Sequence, residues 1–142
     1  MRTEIARKLG LFCFLLIVVP AFSQSPAAKS GPDDASQVAG VWRGNSTCMV
    51  KDSPCHDEVN VYRISTIAGK PGLLLVIAGK IVDGKEIVMG SGEWKYDAQK
   101  HTLEWEISGG GVLKLTVDGN KMEGALTVRG TLYRRISLKK EK

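Results

Sequence analysis

The sequence is poor in the residues that most often carry chemistry: two histidines, three cysteines and three each of Phe, Trp and Tyr in 142 positions. So few cysteines exclude a disulfide-dense miniprotein, and 16 glycines without a three-residue period exclude a collagen-like repeat. With 43% hydrophobic and 25% charged residues the chain is not wholly disordered, and its length allows one compact domain with short tails. Charge of one sign is scarce too. The net charge is +5, but the first 23 residues hold Arg2, Arg7 and Lys8 against Glu4, which leaves +3 elsewhere, too mild to indicate nucleic acid. No Ser, His and Asp set, paired carboxylates, reactive thiol or phosphate-cradling loop stands at catalytic spacing, and Gly109-Gly110-Gly111 reads as a hairpin turn. No catalytic residue, metal or cofactor is therefore expected, and the chain reads as a non-enzyme.

Long apolar runs are also lacking, with one informative exception. The basic start MRTEIARK precedes LGLFCFLLIVVP, an apolar run too short to span a bilayer comfortably. Ala21-Phe22-Ser23 then places small residues at the two positions a signal peptidase reads. Residues 1–23 are expected to be a signal peptide removed before Gln24, so the protein is secreted or periplasmic with no membrane span after cleavage. Cys13 leaves with the signal. The remaining Cys48 and Cys55 then form an even pair in an oxidising compartment, which favours a disulfide. A loop of eight residues closed this way contributes about 2.5 kcal/mol, enough for local stiffening. A metal site built on Cys48, Cys55 and His56 is the competing reading, although the spacing is not that of a zinc knuckle.

Residues 24–37, QSPAAKSGPDDASQ, have no apolar periodicity and read as a flexible N-terminal tail, which places the folded domain at 38–142. Within that domain the period is two, broken by turn signals every 10 to 15 residues, with no helical window. Strands are predicted at 39–48, 57–67, 72–82, 85–96, 101–108, 111–118, 121–128 and 131–138. Asp83-Gly84 and Asp118-Gly119 accept the positive φ that tight hairpins need, so consecutive strands should pair antiparallel. Leu103, Trp105 and Ile107 alternate with Thr102, Glu104 and Glu106, and the later strands continue the pattern, with Leu132 and Arg134 in inward slots. In the fourth strand the phase changes around Gly90-Ser91-Gly92, which reads as a bulge that bends a long strand. Residues 73–78 are apolar on both faces, so a self-association surface around Leu74 and Val76 is one way to cover that strand.

An all-β meander of eight strands without a capping helix is most stable as a closed up-and-down barrel, because closure removes both sheet edges. Closure makes the first and last strands neighbours. That lets Trp42 approach Arg134, whose guanidinium could stack on the indole.

Gly40-Val41-Trp42 at the head of the first strand, with an arginine on the last, resembles the G-x-W signature and closing arginine of lipocalin or calycin barrels. Together with Cys48, Cys55-His56-Asp57-Glu58 and Gly130-Thr131-Leu132-Tyr133-Arg134, it is similar to small exported bacterial lipocalin-like proteins without assigned function. The resemblance implies an apolar ligand held inside the barrel, in a domain shorter than typical members and lacking their C-terminal helix. The Gly40-x-Trp42-x-Gly44 opening is also similar to barrel haem proteins of the nitrobindin kind. Neither His56 nor His101 falls late in the chain, where their axial ligand lies, so haem is not expected.

Two candidate sites follow. Trp42, Trp94, Tyr96, Trp105 and Arg134 either fill the interior or line a pocket for a small apolar molecule, since an eight-stranded barrel is just wide enough for one or the other. The loop held by Cys48 and Cys55 carries Lys51, Asp52, His56, Asp57 and Glu58 and is a candidate surface for a protein partner. The expected function is an exported, non-catalytic binding protein with a ligand in the barrel, the alternative being a packed barrel that acts through the 48–58 loop.

Overall fold

The computed structural model describes residues 33–142; the expected signal peptide, Cys13 and the tail as far as residue 32 lie outside the described residues. Eight strands follow one short helix: α1 (Asp33–Val38), β1 (Gly40–Cys48), β2 (Glu58–Thr66), β3 (Leu73–Val82), β4 (Lys85–Asp97), β5 (Thr102–Ile107), β6 (Gly111–Asp118), β7 (Lys121–Val128) and β8 (Thr131–Lys140). Each predicted strand is present; β4 runs one residue further than expected, to Asp97, and β8 two, to Lys140. Every strand pairs antiparallel with its sequence neighbour, and β1 pairs with β8, so the sheet closes as an up-and-down barrel. Two-residue turns drive this order locally. Asp83 and Gly84 both adopt positive φ (50° and 77°), as do Arg129 and Gly130 (49° and 80°), the geometry whose twist matches antiparallel strands.

The α1 helix corrects the expected tail, because residues 33–37 are helical rather than extended and loose. Its last residue, Val38, is 1% exposed and joins the core, and its carbonyl accepts a 2.8 Å hydrogen bond from Trp42 Nε1. Lys140 Nζ reaches the Gln37 carbonyl at 2.6 Å and lies 5.7 Å from the Trp42 ring centroid. One end of the barrel is thereby plugged by apolar packing.

The expected stacking of Arg134 on Trp42 is overturned by the register between β1 and β8. Trp42 lies opposite Lys140, whereas Arg134 lies opposite Cys48. At about 3.3 Å per residue the six positions between them separate the two side chains by about 20 Å along the strand. The cation over the indole is therefore Lys140.

The β4 bulge lies slightly earlier than expected. Ala78 pairs with Gly90 and Gly79 with Val88, which leaves Met89 as the extra residue. A second irregularity leaves Tyr133 unpaired, so Leu132 pairs with Thr127 and shares its face instead of continuing the inward row of Arg134, Ile136 and Leu138. Leu74 and Val76 are 1% and 0% exposed, which rules them out as a surface for self-association. Outward-facing Leu75 is 37% exposed.

One ladder is much shorter than the rest. β4 meets β5 through only Lys95–Glu104, Tyr96–Leu103 and Asp97–Thr102, so the strands diverge beyond those three pairs. The core is continuous at the plugged end, where Trp42, Leu74, Leu103, Leu115, Met122 and Leu138 are essentially fully buried. Towards the β4–β5 divergence it thins.

Candidate functional site

Where the core thins, the barrel encloses a cavity of about 210 Å³. Ala78, Ile107, Leu113, Leu126 and Ile136 supply its aliphatic wall, and Met89 and Gly90 face Trp105 and Ile107 from the other side of the unpaired β4–β5 stretch. Its aromatic wall is preorganised. Trp94 stacks on Trp105 with centroids 5.3 Å apart and planes at 11°, and Tyr62 meets Trp94 edge-on at 5.4 Å and 72°. Such pairs add about 0.5–1.5 kcal/mol beyond their buried area and hold the rings in place without a ligand.

A polar cluster closes one end of the cavity. Glu58, at the first position of β2, points inward with its side chain 11% exposed. Its carboxylate accepts a 2.9 Å hydrogen bond from Lys80 Nζ and lies 3.5 Å from Arg134 Nη1. Arg134 is held around it: Nη1 donates to the Ser46 carbonyl (3.3 Å) and hydroxyl (3.1 Å), and Nη2 donates to the His56 carbonyl (3.1 Å). An inward arginine is thus accommodated by an inward carboxylate and by β1 backbone, as a desolvated charge requires. Beside this group, Asn60 is 4% exposed and donates from Nδ2 to the Tyr62 hydroxyl at 3.3 Å, while its Oδ1 has no partner.

Burial raises the Tyr62 hydroxyl above the ordinary phenol range near 10, against a smaller lowering by its hydrogen bond to Asn60. A phenol whose folded pKa exceeds its unfolded one contributes stability that is complete below pH 10 and is lost as pH rises through the folded value. The tyrosinate absorbance removed by Tyr62→Phe is therefore expected to appear only on the alkaline side of pH 10, where wild-type stability begins to fall. A Tyr62 that ionised at or below that pH would show that water reaches the cavity wall.

Trp94, Trp105 and Arg134, read from the sequence as ligand-binding candidates, meet at this cavity. Trp42 and Tyr96 do not line it. The first fills the plugged end, and Tyr96 packs in the core near α1, where it borders an outer hollow with Ala35, Thr66 and Gly72. The sequence reading missed Asn60 and Tyr62. They were accessible in principle, since Asn60 and Tyr62 share the parity of Ile64, but Val59 and Val61 make β2 apolar on both faces and mask the alternation.

The second candidate site separates into unlike parts. Cys48 and Cys55 form a disulfide with Cα atoms 5.9 Å apart, which occupies both thiols and overturns the metal reading. Lys51, Asp52 and His56 are exposed, and Asp57 is spent locally, accepting a 2.8 Å hydrogen bond from the Cys48 backbone N–H. Glu58 does not project from the loop but belongs to the barrel interior. The loop therefore presents less charge than its sequence suggests.

On the outer wall, ion pairs such as Arg63–Glu86 (2.6 Å), Lys70–Glu93 (2.6 Å) and Lys95–Glu106 (3.2 Å) stand where a lipid-facing barrel carries an apolar band. No helix among the described residues is long and apolar enough to cross a membrane.

No protein-family model matches the chain, and no curated protein matches it either. The closed eight-stranded antiparallel barrel is consistent with a lipocalin-like fold.

Proposed function

We propose that the protein is an exported, non-catalytic binding protein of lipocalin-like type that holds one small, flat, largely apolar molecule in the open half of its barrel. The observation that carries this reading is the cavity of about 210 Å³ walled by the stacked Trp94 and Trp105. Its size sets the ligand class. A dry cavity of about 150 Å³ accepts benzene, so this one suits a molecule of one or two rings and is too small for a long-chain lipid. The short β4–β5 ladder supplies a path, because residues on both sides of the divergence line the cavity. The alternative, a packed barrel acting through the 48–58 loop, is weakened by the inward turn of Glu58 and the local use of Asp57.

Native mass spectrometry of the protein purified from its own host tests the reading in one measurement. The expected result is a chain beginning at Gln24 that carries extra mass, released on denaturation. Trp105→Ala is expected to lose that mass, or at least ten-fold in affinity, while keeping the barrel's circular dichroism. A bare wild-type chain, or extra mass unchanged in Trp105→Ala, would count against the cavity as the binding site.

A further inference from the structure

We infer that the molecule held in this cavity is a neutral planar aromatic carrying an N–H or O–H donor, and that the donor is delivered to Asn60 Oδ1. The inference rests on the proposed reading of the cavity as a binding site and specifies its chemistry. Asn60 is 4% exposed and lines the cavity, and its amide oxygen is the one buried side-chain polar atom without a partner among the described residues. Its other terminus is already used, donating to Tyr62. A desolvated carbonyl with nothing to accept is costly, so a ligand that supplies a hydrogen recovers what folding left unpaired.

The neighbouring charges decide against an acid or a cation. Arg134 directs its N–H groups at the Ser46 carbonyl and hydroxyl and at the His56 carbonyl, and it shares Glu58 with Lys80. A ligand carboxylate would have to displace Glu58 from both cations. A cationic ligand would meet a cluster in which Lys80 and Arg134 already outnumber the one carboxylate. What remains for specificity is an acceptor at one end and flat indole faces along the wall, which together fit a neutral ring with a single donor.

Tryptophan fluorescence titration of the mature, oxidised protein with matched two-ring probes tests this: naphthalene, 2-naphthol, quinoline and 2-naphthoate. The expected result is that 2-naphthol binds about ten-fold more tightly than naphthalene, and that Asn60→Leu erases this preference while naphthalene still binds. The wild-type comparison needs no variant, so it stands even if Asn60→Leu folds poorly. Equal binding of 2-naphthol and naphthalene would overturn the inference and leave the cavity reading intact. Preference for quinoline would overturn it by showing that the cavity offers a hydrogen-bond donor, the Tyr62 hydroxyl proton or a reversed Asn60 amide, rather than the Asn60 oxygen. Tightest binding by 2-naphthoate would overturn it by showing that Arg134 is available to an anion. If no probe binds, the cavity reading itself fails, and the inference with it.

Discussion

Gly124→Ala is expected to remove about 3 kcal/mol or more of the barrel's stability. Gly124 faces inward on β7 opposite Leu115, and a Cβ built there would overlap the Lys114 carbonyl oxygen and sit 2.8 Å from Leu115 Cα. Neither atom belongs to a flexible side chain. β6 and β7 would have to part, breaking ladder bonds on which barrel closure depends, at a cost of at least about 3 kcal/mol against a total stability of about 5–15 kcal/mol. Gly44 is its counterpart on β1, with a Cβ that would overlap the Ser137 carbonyl oxygen and lie 2.8 Å from Leu138 Cα, so Gly44→Ala should behave alike. Gly90 serves as the control, because a Cβ there meets nothing within 4 Å. Gly90→Ala should change stability by less than about 1 kcal/mol, removing only some backbone freedom from the unfolded chain. The check is the urea midpoint of each variant. A Gly124→Ala midpoint matching that of Gly90→Ala would mean that the strands do not approach so closely.

Trp94→Ala should be the most damaging side-chain truncation in the interior. Trp94 is 1% exposed, lies opposite Leu74, stacks on Trp105 and receives the edge of Tyr62. Its removal takes away a large buried surface and unseats both aromatic neighbours, and burying a void of that size costs about 3–5 kcal/mol. Trp105 is only partly buried and already borders empty volume, so Trp105→Ala should cost less than half as much. The contrast tests whether the open half of the barrel is hollow. In a barrel packed throughout, the two truncations would destabilise by similar amounts, whereas a hollow open half makes stability follow Trp94 and leaves the proposed uptake to follow Trp105. Thermal unfolding of the two variants side by side reads the difference.

These expectations rest on features of unequal legibility. The strands were readable because period-two alternation and positive-φ turn pairs such as Asp83-Gly84 are local properties of the chain. That Arg134 points inward was readable too, from its parity with Ile136 and Leu138. Its partner was not, since parity fixes the face of a residue but not how far one strand is shifted along the next. In a closed barrel that shift is a collective property of all the strands, and here it carries Trp42 to Lys140 and Arg134 to Cys48. The role of Glu58 was lost for the same reason, because a carboxylate two residues after an exposed histidine looks like a loop residue until the sheet turns it inward. Asn60 illustrates a third case. Its inward parity was available, but only burial and an inventory of its neighbours single out its amide oxygen.

The sequence by itself determined that the domain is an all-β meander, where its turns lie and that no catalytic set stands at recognisable spacing. Each of these follows from short-range stereochemistry or from composition. Only the tertiary structure decided that one half of the interior is packed and the other hollow, that a helix plugs the packed end, and that Glu58, Asn60, Tyr62 and Arg134 share one end of the cavity. That choice depends on strand stagger, on the bulge at Met89 and on the early divergence of β4 from β5. All three arise from closing the sheet on itself, a constraint that no local stretch of the chain contains.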